Sequence, residues 1–177
     1  MLLFAVTGLT LNHAASIAAD PAVTARAGQL PPPLVRLLAA PPRAADAPLP
    51  PAVAKAVATR VGLDPGTHAG EWSDGEVYVA LPRPGGDAWV SIDRASGAIT
   101  AETTDRGWIS YLNDLHKGRN AGAAWFWFID AFAVACIVFT LTGLVLLQLH
   151  ARHRPSTWPL VAVGLAVPAL IAVAFIH

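Results

Sequence analysis

Two stretches of this chain carry no charged residue at all, Ala131 to Leu149 and Thr157 to Phe175. No other feature limits the fold as much, because roughly 20 mostly apolar residues, rising about 1.5 Å each as helix, cross the hydrocarbon core of a bilayer. The first run extends back to Ala121 and opens with Trp125, Phe126, Trp127 and Phe128. Aromatic rings gather at the headgroup level, so this cluster predicts one membrane interface. Arg152 and Arg154 follow the other end and predict the second interface, and Pro155 stops the helix. In the second run Trp158 anchors the start and Pro159 suits the first helical turn. Pro168 predicts a kink, which membrane helices tolerate. With only His150 to Ser156 between them, the two helices are expected to form an antiparallel hairpin.

Composition agrees. Of 177 residues, 54% are hydrophobic and only 14% charged, against about a quarter charged in ordinary soluble domains. The formal net charge is zero, so there is no broad basic surface of the kind nucleic acid requires. The single cysteine, Cys136, lies inside an apolar run. It has no partner for an internal disulfide and reads as a small packing residue.

Met1 to Leu11 is apolar too, but as helix it reaches only about 16 Å, short of a bilayer. One reading is a signal-peptide core with Ala14 to Ala19 as the cleavage region, although the usual positive n-region is missing. The other is the C-terminal part of a first transmembrane helix, residues 1–19. An internal repeat favours the second. Phe4-x-x-Thr7-Gly8-Leu9-x-Leu11 matches Phe139-x-x-Thr142-Gly143-Leu144-x-Leu146, and Thr and Gly let membrane helices approach closely.

Residues 20–51 contain Pro31-Pro32-Pro33, Pro41-Pro42 and Pro48-Leu49-Pro50-Pro51, and read as an extended linker in which Leu34 to Leu38 can form a helical turn. Residues 52–105 read as a small α+β domain. Val53, Val57 and Val61, spaced by four and followed by Gly62, predict a short amphipathic helix over Ala52 to Val61. Glu76 to Leu81, Ala88 to Ile92 and Ala98 to Thr103 predict strands, the first two joined by Pro82 to Gly86 and the last two by the turn Asp93 to Gly97. A core of this size barely offsets folding entropy, so support from the membrane hairpin or a partner is expected. Ser73 and Ser91 lack triad spacing, His68 sits in a turn, and Asp74 and Glu76 flank Gly75 at a bend. Nothing here forms a catalytic constellation, and a small sheet with one helix points to a binding or regulatory module.

The helix Ala52 to Val61, the strand Glu76 to Leu81 and the segment Val90-Ser91-Ile92-Asp93-Arg94-Ala95-Ser96-Gly97-Ala98-Ile99 resemble a PepSY domain. Asp114-Leu115-His116-Lys117-Gly118-Arg119, followed by Trp127, Asp130 and Thr142-Gly143-Leu144, resembles the PepSY-associated transmembrane family. Thr7-Gly8-Leu9-Thr10-Leu11-Asn12-His13 is similar to the end of that family's first helix. The resemblance covers Met1 to His13 and roughly Ala52 to Leu149. It implies a membrane α-helical protein of three helices, the first incomplete, with a small α+β PepSY-like extramembrane domain. Residues 106–149 would hold an interfacial segment and a transmembrane helix, 150–156 a cytoplasmic loop and 157–177 the last helix. Larger relatives are inner-membrane, haem-containing reductases of ferric siderophores, so the resemblance implies an electron-transfer role.

His13 ends the first helix and His116 precedes the second, so a single extramembrane domain between them puts both on one side of the membrane. Two imidazoles across antiparallel helices can ligate haem iron from both faces. His13 and His116 are therefore candidate axial ligands of a haem b, with Trp125 and Trp127 along its edge. Copper or another metal is the rival occupant, since two imidazoles do not select among metals. Asp130, fourteen positions beyond His116, is the only carboxylate inside a span. It is a functional candidate, about 40° from alignment with His116 on a continuous helix, though it is also close enough to the interface to pair with Lys117 or Arg119. His150 and His153 read as part of a basic cap. The short loop carrying Arg152 and Arg154 should obey the positive-inside bias, which puts it in the cytoplasm and the PepSY-like domain in the periplasm of a bacterial inner membrane, with His177 at the outer face.

Two functions follow. One is a haem-b electron-transfer component for periplasmic ferric-siderophore reduction, drawing electrons from a partner or the quinone pool because the chain has no nucleotide or flavin motif. The other is a non-enzymatic membrane-anchored module whose PepSY-like domain binds a protein or peptide, for example by edge-strand pairing, with Gly143 and Gly164 as helix contact points.

Overall fold

Period-two alternation builds the sheet. Val77 and Val79, Ala88, Val90 and Ile92, and Ile99 and Ala101 all turn to one side and are buried. In the computed structural model the elements run α1 (Leu2–Asn12), β1 (Ala22–Gln29), α2 (Pro32–Ala39), α3 (Pro51–Val61), β2 (Gly70–Trp72), β3 (Glu76–Ala80), β4 (Gly86–Asp93), β5 (Ala98–Asp105), α4 (Gly107–Lys117), α5 (Gly122–His150) and α6 (Thr157–Phe175). The structure describes residues 2–14, 16–17, 20–39, 44, 46–150 and 155–175. Arg152, His153, Arg154 and His177, with the expected basic flank, lie outside these residues, as do Pro41-Pro42 and much of the expected cleavage region. The chain divides into two compact units, Met1–Trp127 and Phe128–His177.

In the first unit the five strands form an antiparallel sheet in the order β1-β5-β4-β3-β2. Helix α3 lays Val53, Ala54, Val57 and Val61 on the apolar face, and Leu30, Leu38 and Leu49 close the same core. Each of these valines and leucines contributes about 1.5–3 kcal/mol when fully buried. Proline in its first turn starts α3, and Gly62, at φ 71°, ends it in the left-handed conformation with its N–H on the Ala58 carbonyl. Arg26 of β1 donates to the Val61 carbonyl at 2.8 Å, a cation at the helix C-terminus where the dipole favours it. Arg94, just past β4, donates to the Leu38 and Ala39 carbonyls at the end of α2 and to the Ser73 carbonyl, and lies over the Trp72 ring. One arginine thereby ties α2 to the β2 edge.

The proline-rich segment differs from expectation. Ala22–Gln29 is a full strand paired along its length with β5, from Ala22 opposite Asp105 to Gln29 opposite Ala98, and Pro32–Ala39 is a helix that supplies Leu38 to the core. Six helices are present among the described residues, in place of three membrane helices and one short amphipathic helix. Proline content misled because prolines here sit at element starts, where a missing N–H costs nothing. The helix is not continuous between His116 and Asp130: α4 ends at Gly118 (φ 67°), and Asn120 (φ 56°) and Gly122 (φ 78°) turn the chain before α5. The 40° relation between His116 and Asp130 therefore does not apply.

In the second unit, α6 and most of α5 have no buried residue, and Phe139, Leu160 and Val173 are between 73% and 75% exposed. Both helices are long and apolar enough to cross a membrane. Thr140 and Thr142 return their hydroxyls to the Cys136 and Val138 carbonyls at 2.8 Å, so neither of these hydroxyl protons is left unpaired.

Candidate functional site

The segment Asp114 to Arg119 is a joint inside the first unit. Asp114 accepts the Gly85 N–H at 2.9 Å. A Cβ on Gly85 (φ 74°) would collide with the Tyr111 backbone, so glycine lets α4 rest against the β3–β4 loop. The Leu115 carbonyl accepts the Trp125 indole N–H at 2.8 Å. Gly118 caps the helix, and the Arg119 N–H returns to the Asp114 carbonyl.

His116 turns toward α1. Its Nδ1 lies 2.8 Å from the Thr7 hydroxyl, which donates to the Leu3 carbonyl at 2.9 Å. A threonine hydroxyl has one proton. With that proton on the Leu3 carbonyl, the oxygen can accept from Nδ1–H; with the proton on Nδ1 instead, the ring takes the opposite tautomer, so the Thr7 hydroxyl and the imidazole set one another's proton. Phe4 packs at 5.3 Å between ring centroids, and a Cβ on Gly8 would sit 3.4 Å from Cε1 of the imidazole. Thr10 reaches the Asn113 side-chain oxygen at 3.0 Å, and Thr7 and Asn113 are buried polar residues. Phe4, Thr7 and Gly8 are thus a socket for one imidazole.

The second feature is the sheet face that α3 does not cover. Alternation puts Tyr78 and Trp89 there, half-buried and stacked 5.8 Å apart with an interplanar angle of 29°. Glu71, Asp87 and Glu102 surround them. Partial burial, and then these three carboxylates, push the Tyr78 phenol above its ordinary value. Glu76 stands on the same face and accepts the Ser91 hydroxyl at 2.6 Å, while Arg106 pairs with Asp87. The strand alternation of the sequence already implies this face; what it does not show is that its two aromatic rings meet across strands.

A family model described as "Putative PepSY_TM-like" matches residues 1–177. The chain belongs to the PepSY_TM-like family. Neither the curated proteins nor the solved structures give a match. Membership and the two apolar helices together make this a membrane protein.

In this PepSY_TM-like chain the predicted site residues separate. His116 and Trp125 meet in the joint, where Leu3, Phe4, Thr7, Leu112, Leu115, His116 and Trp125 enclose a void of about 20 Å³. His13 is exposed at the end of α1, with Nδ1 3.0 Å from the Leu9 carbonyl. Among the described residues no hydrogen bond or ring contact joins it to His116. Trp127 is exposed with Phe126 against it edge-on. Asp130 is exposed on α5. A void of that size holds about one water, whereas pockets for cofactor-sized ligands run to about 300–1,000 Å³. A porphyrin does not fit between α1 and His116 in this arrangement.

Proposed function

We propose that the chain is a membrane-anchored, non-enzymatic PepSY_TM-like module of a bacterial inner membrane. Helices α5 and α6 cross the bilayer, the turn between them faces the cytoplasm, and the sheet domain stands in the periplasm and binds a protein partner. The observation that carries the reading is the asymmetry of the sheet: one face is sealed by α3, and the other presents an aromatic pair ringed by carboxylates to solvent. A photoreactive residue placed at Thr100 on the open face, in the full chain in its native membrane, is expected to give a discrete protein adduct. The same residue at Lys55, exposed on α3, is expected to give none. Equal adducts at both positions, or none at either, would remove the reading.

A second reading has one observation in its favour. The Nδ1 of His116 is engaged by Thr7, and when the Thr7 proton sits on the Leu3 carbonyl the Nε2 carries the lone pair that binds iron or another metal. In that reading His13 and His116 hold haem b for electron transfer to a periplasmic ferric siderophore, and α1 must first move off the imidazole. Oxidised and reduced visible spectra of the purified chain test it. Sharp b-type bands lost in His116→Ala support it, and a colourless protein from haem-supplemented cells ends it.

A further inference from the structure

The open sheet face has a chemistry that selects its partner. Its strand positions carry Glu71, Glu76, Asp87 and Glu102 around Tyr78 and Trp89, and no lysine or arginine. One cation, Arg106, reaches Asp87 from beyond the end of β5. The chain as a whole is neutral, so this is a local excess of negative charge around two half-buried aromatic rings. The Ser91 hydroxyl engages Glu76. Glu71 and Glu102 lie on either side of the ring pair, on the strands that flank β3 and β4.

We propose that this face docks a basic segment of a partner protein, with an arginine or lysine side chain laid on the Trp89–Tyr78 pair and its head group between Glu71 and Glu102. The inference rests on the module reading above and names the partner's chemistry. A cation over an indole face is attracted by the ring quadrupole, and flanking carboxylates add charge complementarity and steer the encounter. The carboxylates are spread from β2 to β5, a width of about 14 Å at the usual strand spacing. A single small cation does not span that width, and several residues of polypeptide do. Anionic lipid headgroups would be repelled from it.

The test uses the full chain in detergent micelles and a synthetic peptide of alternating arginine and alanine, followed by titration calorimetry. The peptide is expected to bind, more weakly as salt rises, while a glutamate–alanine peptide does not. Glu71→Gln with Glu102→Gln, which keeps side-chain shape, is expected to weaken binding about tenfold, a loss of roughly 1.4 kcal/mol. Trp89→Leu is expected to weaken it by a similar factor, and Lys55→Gln on the opposite face not at all. Binding of both peptides alike, no binding of the basic one, or unchanged affinity in the double glutamine variant would overturn the proposal. The Thr100 cross-link separates the two levels. An adduct undiminished in the double glutamine variant means a partner docks without using this charge, which sinks the cationic partner and leaves the module. Loss of the adduct in the double variant alone supports both. No adduct in the wild-type chain removes both.

Discussion

In α1, Phe4, Thr7 and Gly8 meet the ring of His116; in α5, Phe139, Thr142 and Gly143 repeat the same spacing, and nothing among the described residues lies within 4 Å of a Cβ built on Gly143. The local chemistry of the two copies is the same. Thr7 returns its hydroxyl to the Leu3 and Phe4 carbonyls at 2.9 and 3.3 Å, and Thr142 does so to the Val138 and Phe139 carbonyls at 2.8 and 3.0 Å. In both, the donated proton leaves the threonine oxygen free to accept. The surroundings differ: Thr7 is 4% exposed, while Phe139 is 75% exposed. The same Phe-x-x-Thr-Gly spacing therefore meets an imidazole in α1 and open space in α5, so tertiary packing and not the local pattern decides whether a ring is seated there.

The largest difference between the copies should come from their glycines. Gly8→Leu pushes a branched side chain into the space held by the imidazole, and overpacking of this kind costs about 1–3 kcal/mol. Gly143→Leu meets open space and gains helix propensity, up to about 1 kcal/mol. The two substitutions should therefore have opposite signs. Thermal unfolding of the full chain in detergent, with amide exchange across α4, measures both. Loss of protection in α4 is expected for Gly8→Leu alone, and equal effects would mean the α1 socket is not filled as described. Gly8→Ala should fall between, since its Cβ would only touch Cε1 at 3.4 Å.

His116 comes next. His116→Ala removes the Phe4 ring contact and the Thr7 hydrogen bond together. A loss of about 1–3 kcal/mol is expected, the range of an emptied polar and aromatic contact. His116→Phe restores the ring but not the donor, so it should recover part of the stability. If His116→Phe is as damaging as His116→Ala, the imidazole matters for its hydrogen bond and not for packing. Nitrogen NMR of the labelled ring sharpens this further: a protonated Nδ1 is expected if Thr7 keeps its proton on the Leu3 carbonyl, and a bare Nδ1 would mean that the hydroxyl donates to the ring instead.

Much of this was legible before the fold was known, and the reasons differ by element. Helices α5 and α6 could be read from length without charge, because the bilayer imposes both. Strands β3, β4 and β5 could be read from Val77/Val79, Val90/Ile92 and Ile99/Ala101, because a one-sided core imposes alternation. Strand β1 could not. Ala-Val-Thr-Ala-Arg-Ala-Gly-Gln has no apolar alternation, and its strand state comes from pairing with β5, far along the chain. The candidate site divides the same way. The repeat and the Asp114 to Gly118 segment stand out as patterns, but the seating of His116 in the first copy depends on the break between α4 and α5, which a continuous helical periodicity hides. Arg94 was visible only as a turn residue, because its partners Leu38, Ala39 and Ser73 are backbone carbonyls that carry no sequence signal.

The smallest effects lie in the threonines, and they discriminate most finely. Thr7→Val keeps the shape and removes the hydrogen-bond partner of Nδ1, leaving a polar group of the joint unpaired, which costs about 1 kcal/mol or somewhat more. Thr142→Val removes only a bond from the helix to itself. Such back-bonds slightly destabilise a helix, so a change within about 0.5 kcal/mol is expected. The double variant should show the sum of the two, because separate sites add. If Thr142→Val instead costs as much as Thr7→Val in the native membrane but not in detergent, the α5 copy is filled there by a helix from another molecule. The two copies would then differ only in where the guest comes from.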